Sequence, residues 1–213
     1  MVFDNDAWRQ SGESMEGGYE EINEEIVTRF GILFGAGEVD GNDDVAESVV
    51  DSSEIINTLA GGGVSTIGYA AEEVEMQDSG GLLSRFTGGD GESGDTAHTT
   101  NRITSLVRKA ALGRLTLPCE IDGTERALLV MSGPPQHLNR KGIERGRKWL
   151  EEQTGSMEVR GGDYPVNEPN VAGVVLLSGV TNVPRIKELQ QVAIEAQENI
   201  DDIRQESEEN LEN

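Results

Sequence analysis

The sequence has one cysteine, four lysines among its 17 basic residues, and no long uncharged apolar run. A single thiol, Cys119, cannot form an internal disulfide, and with no partner ligands in spacing it gives no metal site. Set in TLPCEI, it reads as a packed thiol in or near a strand. Without an apolar segment of about 18 residues or a signal peptide, a soluble cytoplasmic chain is expected. Positive charge is scarce: 40 acidic residues against 17 basic ones leave a net charge of −23. No basic stripe is available to neutralise phosphates, which argues against nucleic acid as a partner. So acid-rich and lysine-poor a balance suits a protein kept hydrated in concentrated salt, with strong self-repulsion when salt is low. At 213 residues the chain is long enough for one or two domains with a real core.

Phosphate-binding glycine loops are also missing. Gly61-Gly62-Gly63 is not followed by strand–loop–helix order or by a Lys-Ser/Thr pair, and Gly35-Ala36-Gly37 lacks the third glycine of a dinucleotide fingerprint.

What is present is organised around the stretch from Gly17 to Glu54. Ile22, Ile26, Val27, Phe30, Leu33 and Phe34 form an apolar stripe at helical spacing, stopped by Gly35 and Gly37. Tyr19 and Asn23, four apart, share a face of its first turn. A polar loop over 38–48 leads to a short helix from Asp51 to Leu59, with Ile55, Ile56 and Leu59 facing inward. Asp51 and Glu54, three apart, share its first turn. Read alone, Tyr19 and Asn23 are surface or capping residues and the two acids a solvated face. Asn5, between two acids, reads as a turn or cap.

Further along, Val64–Tyr69 reads as a strand and 76–96 as a Gly/Ser/acid-rich surface loop. His98 reads as a surface or cap residue, and Thr100 or Asn101 as the cap of a helix through Ile103, Leu106, Val107, Ala110 and Ala111. Arg126–Met131 is expected as a buried strand, Leu138–Glu152 as a helix with Trp149 partly covered, and Met157–Arg160 as a short strand. Val171–Val180, the most continuous apolar run, is expected as a central strand. A helix from Pro184 is expected to fray after Asp201 into a charged tail. Arg140, Lys141, Arg145, Arg147 and Lys148 form a basic cluster, read either as a solvated face or as a contact to an acidic neighbouring subunit. This order of elements makes an α/β or α+β layer.

The order Asn5-Asp6-Ala7, then a helix opening on Tyr19 and Asn23, then Asp51 and Glu54, resembles the tubulin/FtsZ superfamily. AESVVDSSEIINTLAGGGVSTIGYA, LNRKGIERGRKWLEEQTGSMEVRGGDYP and LLSGVTNVPRIKELQQVAIEAQ are similar to the CetZ group within it. The resemblance implies an α/β fold equivalent to the C-terminal part of a tubulin-like GTPase. Residues 1–16 would end the GTP-binding domain, 17–37 form the central helix, and 38–98 carry the catalytic loop, a short helix, a strand and an acidic loop. Residues 99–183 would form the activation domain, and 184–213 a terminal helix and acidic tail. It implies a cytoskeletal protein controlling cell shape, with GTP as ligand, Mg2+ in the full-length protein, and head-to-tail self-association into filaments. The tail offers a possible arm for a further partner. Asn5, Tyr19 and Asn23 would contact the base and ribose; Asp51 and Glu54 would be catalytic, the second acid being Glu where FtsZ has Asp. Because the family's glycine-rich phosphate loops are not in these residues, the chain is expected to be a partial one, inactive alone. The alternative is a non-catalytic module that pairs with or caps polymers of intact subunits. Sequence upstream of Met1 would distinguish the two.

Overall fold

The computed structural model describes residues 1–5, 18–37, 50–75 and 92–212. The expected loop at 38–48 and most of that at 76–96 therefore lie outside the described residues, as do Asp6 and Ala7. By contacts the chain divides into two units, residues 1–182 and 183–213.

In the first unit, helix α1 (Gly18–Gly37) and the short helix α2 (Ser52–Leu59) precede strand β1 (Val64–Glu73). Helix α3 (Glu92–Leu112), strand β2 (Arg126–Gly133), a 3-10 turn (Pro135–His137), helix α4 (Arg140–Thr154), and strands β3 (Glu158–Pro165) and β4 (Asn170–Val180) follow. The strands form one sheet in the order β1-β4-β2-β3. β4 runs antiparallel to both neighbours, whereas β2 and β3 are parallel and joined through α4, as a parallel pair requires.

Helices cover both faces of the sheet, so β4 is buried along nearly its whole length and reads as one apolar run. Leu128, Val130, Val174 and Leu176 pack with Leu33 and Ala36 of α1 and Ile55 of α2. On the other face, glycines let the helices approach closely. A Cβ at Gly146 of α4 would lie 2.8 Å from Val107 of α3, and one at Gly68 of β1 would lie 1.9 Å from the Ala110 carbonyl. Gly62 and Gly63, both at positive φ, make the turn into β1.

Several expectations are corrected. In α1 the buried line is Ile22, Arg29, Leu33 and Ala36, while Val27 is 68% exposed and Phe34 about half exposed. Gly35 does not stop the helix, which continues to Gly37. Its missing side chain admits Tyr164 of β3, whose Oη would sit 2.8 Å from a Cβ there. In α2, Thr58 rather than Ile56 turns inward, its hydroxyl satisfied by donating to the Glu54 carbonyl at 2.8 Å. Helix α3 starts at Glu92, not at Thr100; Thr100 lies inside it and donates back to the Thr96 carbonyl.

In the second unit, α5 (Pro184–Glu212) stays helical past Asp201, where fraying was expected. Gln191 donates to Glu195, and Gln197 to Asp201, so polar side chains four apart support the helix where apolar ones thin out.

Candidate functional site at the two ends of helix α1

The first turns of α1 carry Tyr19 and Asn23. Both are exposed, and neither side chain is held by a hydrogen bond to another described residue. Asn5 is exposed as well. Its segment is fixed against the domain: the Val2 amide donates to Ser65 and the Asp4 amide to Thr116, at 3.2 and 2.8 Å. Phe3 packs its ring 5.7 Å from Phe30, which in turn stacks on Phe34. The amides of Asn5 and Asn23 match the mixed donors and acceptors of a purine edge, and the Tyr19 ring provides a face on which a base can stack. None of these three side chains is cationic, so they carry no charge with which to hold a triphosphate.

The other two expected site residues stand at the far end of α1. A Cβ at Gly37 would lie 3.0 Å from Ile55 Cδ1 and 3.3 Å from the Ser52 backbone, so the start of α2 abuts the end of α1. Asp51 is the N-cap of α2: its Oδ1 accepts from the Glu54 amide at 2.9 Å and from the Ser53 hydroxyl at 2.5 Å. The Ser53 hydroxyl first, then the Glu54 amide, holds the Asp51 carboxyl below its ordinary pKa, with Arg160 adding a smaller attraction. Glu54 Oε1 lies 3.4 Å from Arg160 Nη1 of β3; the two side chains are 25% and 48% exposed. One ionised carboxylate is thus a cap, and its neighbour faces an arginine at the surface.

From Asn23 to the end of the 20-residue helix is about 20 Å. The structure brings Tyr19 and Asn23 onto one turn and Asp51 and Glu54 onto another, and it separates the two pairs. None of the five lines the clefts of about 470 Å³ beside Cys119 or about 140 Å³ beside Asn139.

Sequence reasoning missed the polar network inside α1. Arg29 is 1% exposed, pairs with Glu25 at 3.3 Å, donates to the Arg114 carbonyl at 3.2 Å, and lies 5.8 Å over the Tyr69 ring. Desolvation lowers its pKa, opposed chiefly by Glu25. The signal was present: Arg29 stands at helical spacing between Ile22 and Leu33, in the middle of the apolar line.

A long helix leading to a mixed sheet covered by helices is the architecture of the tubulin superfamily's C-terminal half. FtsZ of M. jannaschii superposes with a TM-score of 0.54 at 15% identity, over 79% of this chain and 40% of that one, which shows the fold alone. The family model for tubulin-like CetZ, C-terminal domain, matches residues 12–195, and the chain belongs to that family. The tubulin-like protein CetZ1 of Haloferax volcanii is 79% identical over 210 residues, covering 96% of this chain and 53% of the relative. CetZ3 of the same organism is 65% identical over 197 residues, covering 92% and 50%. A GDP-bound monomer of CetZ1 superposes with a TM-score of 0.73 at 71% identity, over 92% of this chain and 50% of that structure. A CetZ2 protofilament described as GTPγS-bound gives 0.73 at 39% identity, over 93% and 51%. The chain spans about half the length of the relatives it matches. Among the described residues no helix is long and apolar enough to cross a membrane.

Proposed function

We propose that this chain is the C-terminal half of a GTP-binding, GTP-hydrolysing cytoskeletal protein of CetZ type that acts in the cytoplasm on cell shape. Its catalytic site is shared between subunits stacked head to tail. Asn5, Tyr19 and Asn23 hold the base and ribose side of the nucleotide at the N-terminal end of α1. Asp51 and Glu54 serve the nucleotide of the next subunit, where their carboxylates orient and polarise the attacking water. Mg2+ is the counterion expected for a triphosphate. The observation that carries this reading is the separation of the two residue pairs to opposite ends of α1. Acids at the far end reach a nucleotide only across a heterologous contact, which continues as a filament. The CetZ2 protofilament supports such stacking.

The test mixes two variants of the full-length protein. Glu54→Ala keeps GTP binding and loses most hydrolysis; Asn23→Ala loses binding. Combined, intact half-sites meet at some contacts and hydrolysis partly returns. Absence of any return would overturn the shared site. The charge balance supports a protein adapted to concentrated salt, so far-UV circular dichroism should show structure lost as salt falls from molar to millimolar; an unchanged spectrum would refute that part.

A further inference from the structure

The residues proposed above as base contacts come from two segments: Asn5 from the first five residues, Tyr19 and Asn23 from α1. Both amides can meet one purine edge only if the two segments keep a fixed spacing. The backbone of residues 1–5 is tied elsewhere. Its Val2 and Asp4 amides donate to Ser65 of β1 and to Thr116, which follows α3, at 3.2 and 2.8 Å. The side chain between them reaches α1: the Phe3 ring centroid lies 5.7 Å from that of Phe30, tilted at 46°. Phe30 is in turn stacked on Phe34, 5.3 Å away and 14° from parallel. Phe34 is half exposed and lies off the line of α1 that is buried against the sheet, so its place is explained by the stack rather than by the core.

The helix period puts these rings on the same side of α1 as the two candidate contacts. At 3.6 residues per turn, Tyr19, Asn23, Phe30 and Phe34 fall within about 60° of one another, on a single face. Asn23 and Phe30 are seven positions apart, about 10 Å along the axis, and Phe3 is two residues from Asn5, a reach of at most about 7 Å. Fixing the Phe3 ring on Phe30 therefore limits where Asn5 can stand relative to Asn23. We propose that Phe30, buttressed by Phe34, is a positioning residue for nucleotide binding: by holding Phe3 it sets the spacing of Asn5 and Asn23. This rests on the reading of Asn5, Tyr19 and Asn23 as base and ribose contacts. A tether made of rings suits this chain. Asp4 and the first-turn acids Glu20 and Glu21 of α1 carry charge of the same sign, whereas apolar packing is not screened by concentrated salt.

Titration of the full-length protein with GTP in molar salt tests this, with kcat at saturating GTP measured beside it. Losing one aromatic pair changes an equilibrium by about two- to tenfold, so Phe3→Ala should raise the Kd for GTP by about that factor. Its kcat should stay within about twofold of wild type, because Asp51 and Glu54 stand at the other end of α1. Phe3→Tyr, which keeps the ring, should bind GTP like wild type. Phe30 also packs on the core, so Phe30→Leu, which keeps apolar volume there, is the variant to use, and it should weaken binding as Phe3→Ala does. Phe34→Ala, at a half-exposed position, leaves the core intact and should give a smaller loss. A positioning residue acts through the residue it positions, so Phe3→Ala added to Asn5→Ala should cost little further affinity. The proposal is overturned if Phe3→Ala binds GTP like wild type while Asn5→Ala does not. It is also overturned if Phe3→Ala weakens binding equally with and without Asn5, the mark of a general loss of structure. Wild-type affinity in Asn5→Ala itself would instead overturn the base-contact reading, and the positioning role with it.

Discussion

Substituting Glu54 by Ala in the full-length protein separates catalysis from stability, because the structural part of the change is small. The Glu54–Arg160 pair is partly solvated at 3.4 Å, and an ion pair of this kind contributes about 0–1 kcal/mol. Glu54 also stands in the first turn of α2, where a carboxylate is favoured by about 0.3–1 kcal/mol. Its backbone amide and carbonyl, which bond Asp51 and Thr58, are unchanged by the substitution. The loss is at most about 2 kcal/mol, against about 5–15 kcal/mol for a whole domain, so the variant stays folded. If the carboxylate positions water, hydrolysis falls by about 10²–10⁴-fold while GTP affinity is kept. Arg160→Ala is the control, since it removes the same ion pair and leaves the carboxylate. Single-turnover phosphate release, with unfolding by urea measured in parallel, should show Arg160→Ala within a few-fold of wild type. Normal hydrolysis by Glu54→Ala, or an equal loss in Arg160→Ala, would refute the assignment.

Gly35→Ala gains about 1 kcal/mol of helix propensity but pushes a methyl against Tyr164, at a cost of about 1–3 kcal/mol; a net loss in a urea titration is expected, changing to a gain in a Tyr164→Ala background. Burial raises the pKa of Cys119 to about 11, from an ordinary value of 9.0. The folded state then holds its proton more tightly than the unfolded one, so this thiol's contribution is complete below the ordinary value of 9.0 and is lost as pH rises through about 11. Alkylation at pH 8 should be about a hundredfold slower in native than in unfolded protein, and equal rates would refute the burial argument. The lowered pKa of Asp51 has the opposite sign: its contribution is complete above the unfolded value and is lost as pH falls through the folded one. Asp51→Ser, which keeps a capping oxygen, should flatten the acid side of the stability profile, while Asp51→Ala should also lower its plateau.

Most elements were legible in the sequence because burial on two faces leaves a plain pattern. β4 shows as an unbroken apolar run, and α4 as a helix between Asn139, which caps it through Gly142, and Gly155 in the left-handed region. The failures have physical causes. Val27 and Phe34 are apolar but lie off the line that meets the sheet, whereas Arg29 lies on it and is accommodated by Glu25 and the Arg114 carbonyl. Gly35 looked like a helix stop because a glycine needed for close approach is the same letter as one needed for a turn. The candidate site was legible only in its ends. That Asp51 and Glu54 share a turn follows from spacing, but that they abut the end of α1 depends on Gly37 meeting Ile55 across residues that carry no local signal. The Arg160 partner of Glu54, 106 positions away, is visible only in three dimensions.

The place of β4 has a consequence for how the chain matures on the ribosome. The strand that joins the sheet is the last to be made: Val64 of β1 pairs with Val180, and β2 meets β1 only through β4. At about 5–20 residues per second, β1 waits on the order of ten seconds for its partner. During that interval β1 and β2 present unpaired edges, a hazard that other chains can exploit. Closure of the sheet is therefore a late, all-at-once event in synthesis, and a nascent chain stalled before Asn170 should be a substrate for holding chaperones.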